Sequence, residues 1–274
     1  MNQILKRATK YVIPSEKIQR QKDVLANQVV QLVQKAAYGY SQITGIEIVG
    51  SYAKGTWLPK RADLDVFVKF HTDVSEREFV DVGKKIGFEA LKKFKPYVRY
   101  AEHPFVEALV FDTKVNVVPC YDVTEGAWKS SADRSPFHTK FMIKSLTDTM
   151  KNEVRLLKAF LKANEIYGAE IAKQGFSGYV AEVLILNFGT FENVLKEFSH
   201  LKAGQIIGNT LKKFDTKIVI IDPIDGNRNL GAAISVENIG RFVLSARAFL
   251  RDPKITFFTA KKKIVKLNTK NILV

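Results

Sequence analysis

The stretch IVGSYAKGTWLPKRADLDVFVKF, residues 48–70, decides how the chain is read: a Gly-Ser turn, a basic patch and two aspartates one residue apart. LDVFVKF at 64–70 and IEIV at 46–49 read as short strands, so Asp63 and Asp65 at i and i+2 fall on one face with their carboxylates close together. Like charges held that close are unfavourable unless a cation lies between them, and magnesium suits an all-oxygen set. A glycine at 50 lets backbone N–H groups approach a triphosphate, and Ser51 adds a hydroxyl donor. Phosphoryl or nucleotidyl transfer is the chemistry that needs these pieces together.

Around this stretch the pattern alternates by region. Residues 1–40 carry helical periodicity, with Val24, Leu25, Val29, Leu32 and Val33 spaced to line one face. VEALVF at 106–111 and VNVV at 115–118, joined through Asp112, Thr113 and Lys114, predict a hairpin. REFVDVGKKIGFEALKKF before them predicts a helix covering a mixed or largely antiparallel sheet. YDVTEGAWKSSADRSP reads as a loop and domain boundary. Beyond it the chain is mostly helical: NEVRLLKAFLKANEIYG closing on Gly168, then GYVAEVLILNFGTFENVLKEF. KIVIID at 217–222 is a strand, and Ser235 caps a last helix ending before Pro253.

Composition narrows the partners. The 274 residues are 46% hydrophobic, enough for a substantial core and two domains, and 43 Lys and Arg against 28 Asp and Glu give a net charge of +15. That surplus favours a polyanion such as nucleic acid. With Cys120 as the single cysteine, an internal disulfide and a cysteine zinc cluster are excluded. The N-terminal MNQILKRATKYVIPSEK lacks a signal-peptide core and no apolar run is long enough to span a bilayer, so an intracellular, cytoplasmic protein without a membrane partner is expected.

GSYAKGTW followed by DLDV resembles the G-S…D-x-D signature of the polymerase-β-like nucleotidyltransferases. RYAEHPF, VVPCY, DRSPFH, NEVRLLKAFLKANEIYGAE, GFSGYVAE and DPIDGNRNLGAAIS resemble, in order, motifs of the archaeal (class I) CCA-adding tRNA nucleotidyltransferases, over about residues 1 to 258. The resemblance implies an α+β fold: a nucleotidyltransferase head over residues 1–136, a mainly helical central domain over 137–258 like that of the 2′-5′-oligoadenylate synthetases, and a lysine-rich tail over 259–274. It implies untemplated addition of C, C and A to a tRNA 3′ end from CTP and ATP, with Mg2+.

Carried over by position, Gly50 and Ser51 would hold the triphosphate beside Lys54, where the family usually has arginine. Asp63, at a place usually Glu, and Asp65 would bind metal. Ser135, His138, Lys158, Tyr167 and Arg228 would form the nucleotide pocket, and Glu102 and His103 would lie near the RNA end.

Two departures stand out. The third catalytic and metal-binding carboxylate of the family should precede VVPCY, yet the residue is Asn116, which brings no charge and cannot accept a proton. An introduced substitution, a slow enzyme, and a relative that binds nucleotide or RNA without chemistry all fit, as does a nucleotidyltransferase with another acceptor. Family members also carry further domains that grip the tRNA body. Here a fragment of a longer chain, a partner subunit or a homodimer formed through the tail would account for their absence, and the lysines at 254, 261, 262, 263, 266 and 270 would serve an RNA backbone.

Overall fold

The computed structural model describes residues 1–59, 62–100 and 103–259. The N-terminal region is two helices, α1 (Asn2–Val12) and α2 (Glu16–Ala37), because Pro14 drives Ile13 into an extended conformation and Ser15 then caps α2 by accepting from Ile18 N. The expected single face is corrected. Leu25, Ala26, Val29, Val33 and Ala37 are buried, while Val24 is 58% exposed and Leu32 38%, since a residue adjacent to a buried one is turned about 100° around the helix.

The head is a five-stranded mixed sheet in the order β1-β2-β5-β4-β3. Its strands are β1 (Ile43–Val49), β2 (Leu64–Phe70), β3 (Tyr97–Arg99), β4 (Phe105–Val110) and β5 (Thr113–Tyr121). Only β2 and β5 run parallel. The short helix α3 (Gly50–Ala53) follows β1, and α4 (Glu76–Leu91) lies between β2 and β3. Strand alternation sends Leu64, Val66, Val68 and Phe70 into one core with Val33 of α2 and Phe79 of α4, which cover that face. The other face carries Asp65, Asn116 and Glu107, in register on β2, β5 and β4. The predicted hairpin forms with a tighter turn, Phe111-Asp112, because Thr113 already pairs with Val110 and Phe111 takes φ 50°.

The stretch read as a loop before residue 136 is partly helical. Buried Asp133 accepts from Tyr121 N, Lys129 N and Ser130 N, closing a turn that leads directly into α5 (Arg134–Ser145), where Pro136 sits harmlessly in the first turn. After it come α6 (Asp148–Ala163), α7 (Gly178–Phe188), α8 (Phe191–Ser199) and α9 (Val236–Arg251). Ser235 caps α9 as expected, accepting from Asn238 N. The predicted strand at 217–222 is β7 (Ile218–Asp222), which forms a three-stranded sheet with β6 (Gln205–Ile207) and β8 (Asp225–Asn229). Gly168 does not end α6: that helix stops at Ala163, and Gly168 instead donates its N–H to Phe176 O in a loop.

A second core gathers Leu157, Phe160, Val183, Leu184, Phe191, Phe198, Phe242 and Phe249. Ala8 and Val12 of α1 are buried in it, so the N-terminus packs on the central region while α2 packs on the sheet. Among the described residues, no helix is long and apolar enough to cross a membrane.

Candidate active site

The centre of the site is the end of β1 against the start of β2. Gly50 has φ +76°, and a Cβ built on it would lie 2.3 Å from Asp65 Oδ2, so only glycine allows the turn to close over the carboxylate. Gly50 N donates to Thr139 Oγ1 of α5 at 3.1 Å, fixing the turn from the opposite side. Ser51 follows on α3.

Asp65 lies opposite Val49 of β1 and Asn116 of β5. Asn116 Nδ2 donates to Asp65 Oδ1 at 2.8 Å, while Asn116 Oδ1 is buried without a hydrogen-bond partner. Desolvation pushes the Asp65 carboxyl up to about 6, against the hydrogen bond from Asn116 and with repulsion from Asp63 added. Asp63 precedes β2 rather than lying on it, so strand alternation accounts only for Asp65. Desolvation also lifts Asp63, and Glu107 pushes the same way against Lys114, Lys162 and Lys22.

Two carboxylates and the orphaned amide oxygen are hard donors that fit a magnesium-like cation, with one charge fewer than three carboxylates would give. Among the described residues no three His, Cys, Asp or Glu side chains gather into a metal group. Glu107, in register beside Asn116, is committed elsewhere: Tyr97 Oη donates to it, and Lys114 Nζ lies 3.5 Å and Arg99 Nε 3.8 Å from it.

Behind the turn is a buried charge cluster. Glu182 of α7, fully enclosed, accepts from Lys54 Nζ at 2.5 Å, Thr56 Oγ1 at 2.6 Å and Lys158 Nζ at 2.8 Å. Burial alone would raise Glu182, but Lys158 and Lys54 hold it down to about 2. Lys158 is pushed down to about 8, because its own desolvation outweighs the attraction of Glu182. The cluster joins the loop after α3 to α6 and α7. Tyr167 stands beside it: a Cβ on Gly178 would lie 2.8 Å from the Tyr167 hydroxyl and 3.5 Å from Lys158 Nζ, so the glycine makes room for both.

A third group surrounds Asp222 at the end of β7. Asp222 Oδ2 lies 2.9 Å from His138 Nε2 and 3.0 Å from Arg228 NH1, and Oδ1 accepts from Tyr179 Oη at 2.9 Å. The His138 and Tyr179 rings stack at 3.8 Å. Arg134 of α5 approaches Asp225 at 3.5 Å, a second tie between α5 and the β7–β8 turn.

Gly50, Asp65 and Asn116 thus stand together, Lys54 and Lys158 share Glu182 with Tyr167 beside Lys158 at Gly178, and His138 and Arg228 share Asp222. Ser135, one turn before Thr139 on α5, accepts through its carbonyl from Thr139 Oγ1 at 2.9 Å. His103 lies edge-on to Phe79, 5.8 Å between ring centroids, against the helix-covered core, with no hydrogen bond to the carboxylates among the described residues. Glu102 and the lysines at 261, 262, 263, 266 and 270 lie outside the described residues, and Lys254 pairs with Asp252. Sequence reasoning missed Thr56, Thr139, Tyr179, Glu182 and Asp222. Glu182 carried a usable signal, a lone acid in the otherwise uncharged and mostly apolar helix GYVAEVLILNF.

Residues 28–144 match the family described as nucleotidyltransferase domain, and residues 152–259 the family described as tRNA nucleotidyltransferase, second domain. The chain belongs to the tRNA nucleotidyltransferase family. It is 38% identical to a CCA-adding enzyme of Methanocaldococcus jannaschii over 94% of this chain and 61% of that one. It is 33% identical to a CCA-adding enzyme of Pyrobaculum islandicum over 100% of this chain and 66% of that one. The chain therefore spans 61% and 66% of these relatives' lengths. In fold it is similar to the Cid1 poly(U) polymerase, with a TM-score of 0.70 at 12% identity over 94% of this chain and 98% of that one. It is also similar to CdnC of E. coli MS115-1, with a TM-score of 0.65 at 18% identity over 93% and 94%. The α+β nucleotidyltransferase head followed by a helical second domain is thus the fold of this family.

Proposed function

We propose that the chain transfers CMP and AMP from CTP and ATP to the 3′-hydroxyl of an RNA end, that of tRNA, as a CCA-adding nucleotidyltransferase. The observation that carries this reading is the packing of Gly50 directly on Asp65, a glycine turn closed over a carboxylate, which suits a triphosphate beside a bound cation. The names of the relatives and the match to both of the family's domains support it. The net charge of +15 suits an RNA partner.

In this reading the Gly50-Ser51 turn and the Lys54–Lys158 cluster bind the triphosphate, and His138 with Arg228 faces the base. Asp63, Asp65 and Asn116 Oδ1 would hold a divalent cation such as Mg2+, which when bound neutralises charge on the phosphates and lowers the cost of ionising the attacking hydroxyl. The hydroxyl oxygen forms a bond to the α-phosphorus as the bond to the bridging oxygen breaks, and pyrophosphate leaves. Asn116 accepts no proton, so Asp63 and Asp65 are the carboxylates left to take it.

Asn116 favours a second reading, a relative that binds nucleotide and RNA with the chemistry lost. Incorporation of labelled CTP and ATP into tRNA lacking its CCA end separates the two. The expected result is slow incorporation by the chain itself and faster incorporation by Asn116→Asp. No incorporation by either protein overturns the enzyme reading.

A further inference from the structure

The outer side of α4 carries a cleft that the reaction does not use. Gly83 and Gly87 face the sheet: a Cβ on Gly87 would lie 2.5 Å from Val106 Cβ, and one on Gly83 3.0 Å from Pro119 Cβ, so the helix closes tightly on β4 and β5. Lys85, Phe88 and Lys92, at i, i+3 and i+7, then fall together on the side turned away from the sheet. Tyr40, just after α2, and Pro96, just before β3, complete the walls of a cleft of about 630 Å³, which Glu89 also lines.

Phe88 is 39% exposed, and Tyr38, two residues before Tyr40, is 90% exposed, so flat rings face water where a helical pattern calls for polar side chains. Lysines surround them: Lys84, Lys85, Lys92, Lys93 and Lys95 stand against one acid, Glu89, over residues 84–95. Glu89 pairs with Lys92 at 2.6 Å, and among the described residues Lys85, Lys93 and Lys95 form no ion pair. The dipole at a helix C-terminus accounts for a lysine or two and leaves the rings unexplained. Lys95 holds φ 50°, which turns the chain from α4 into β3 and sets Pro96 in the cleft wall.

Unpaired cations around exposed rings in a concave site suit single-stranded nucleic acid, whose bases stack on the rings while its phosphates meet the ammonium groups. Duplex RNA keeps its bases stacked inside, and a lipid surface is flat, so neither enters an aromatic-walled cleft. The cleft also adjoins the route to the carboxylates. Pro96 leads directly into β3, where Tyr97 pairs with Glu107 of β4, which pairs in turn with Asn116 of β5 beside Asp65.

We propose that the cleft between α4, Tyr40 and Pro96 is an accessory binding site for single-stranded RNA, on the far side of the sheet from Asp65. A base stacks on Phe88 and Tyr40, and the neighbouring phosphates lie on Lys85 and Lys92. Binding there needs neither a nucleoside triphosphate nor a cation, and it holds an RNA strand to the head independently of the reaction. The proposal goes beyond the functional reading above and does not require it.

Fluorescence anisotropy of a labelled oligouridine of twelve nucleotides, which forms no duplex, tests this in the whole chain without triphosphate or divalent cation. In the double variant Lys85→Gln, Lys92→Gln, loss of two phosphate contacts is expected to reduce the slope of the log association constant against log salt by about 1.4, at ~0.7 per contact for a single strand. Binding at low salt should weaken at least tenfold. Phe88→Ala is expected to weaken binding at least fivefold with the slope unchanged, because stacking releases no counterion. All three side chains are exposed, so thermal melting and Mn2+ affinity should match the wild type. Affinity and slope that stay at the wild-type values in both variants overturn the proposal. So does displacement of the labelled RNA by phosphatidylserine vesicles or polyglutamate as readily as by unlabelled oligouridine, which would make the cleft a general anion surface. An equal loss for double-stranded RNA in Phe88→Ala overturns it as well, by removing stacking as the cause. Failure of the wild type to incorporate CTP or ATP would sink only the functional reading, since the binding measurement uses neither.

Discussion

Asn116 of β5 donates from Nδ2 to Oδ1 of Asp65 on the parallel neighbour β2, across 2.8 Å, and its own Oδ1 stays buried and unpartnered. The amide therefore does two things that a carboxylate could not do in the absence of a cation: it satisfies Asp65, and it avoids placing two negative charges side by side. Asn116→Asp should bind Mn2+ at least tenfold more tightly by calorimetry and raise turnover by on the order of 10²-fold, the scale of one removed transition-state charge contact. In metal-free buffer the same variant should melt below the wild type, because the new carboxylate repels Asp65. Equal Mn2+ affinity in both proteins would show that Asn116 is not a ligand.

Gly50 cannot be replaced without moving Asp65. Gly50→Ala places a methyl 2.3 Å from Asp65 Oδ2 and forces alanine to φ +76°. A loss of about 1–3 kcal/mol in denaturant unfolding is expected from the backbone conformation alone, together with loss of nucleotide binding. Wild-type triphosphate affinity in Gly50→Ala would rule out a close approach of the turn to the phosphates.

Thr139 supplies the acceptor for Gly50 N at 3.1 Å. Thr139→Val keeps the shape and leaves that N–H without its partner, so a destabilisation of about 1–3 kcal/mol is expected. Chemical denaturation of the two proteins checks this, and amide hydrogen exchange at Gly50 should quicken in the variant.

Glu182 provides the pH test. Its folded pKa, about 2, lies below the usual 4.5, so the stability it contributes is fully present above pH 4.5 and declines as the pH falls toward 2. Glu182→Gln leaves Lys54 and Lys158 without their counter-charge and should cost about 3–5 kcal/mol at pH 7. Denaturant midpoints measured from pH 7 to pH 2.5 should fall less steeply in the variant than in the wild type below pH 4.5.

The strands of the head were legible because they obey a two-residue alternation with a strongly apolar side, as LDVFVKF does. The capped start of α9 was legible because its signal is local, Ser235 at the N-cap. The helical start of DRSPFH was not, since what folds it is Asp133 accepting from Tyr121, a contact twelve positions back along the chain. The placement of Val24 and Leu32 on the buried face of α2 failed because periodicity gives the width of an apolar stripe but not which part of it meets the sheet.

The sequence by itself determined the turn, the aspartates, the amide at 116 and the family, because each is a matter of residue type at short spacing. Only the tertiary structure decided that Asp65 and Asn116 share a hydrogen bond, that Lys54 and Lys158 share Glu182 from 128 and 24 positions away, and that His138 and Arg228 share Asp222. Those partners are brought together by burial of the two apolar cores, and the desolvation that burial imposes pushes the Asp65 carboxyl up and Lys158 and His138 down.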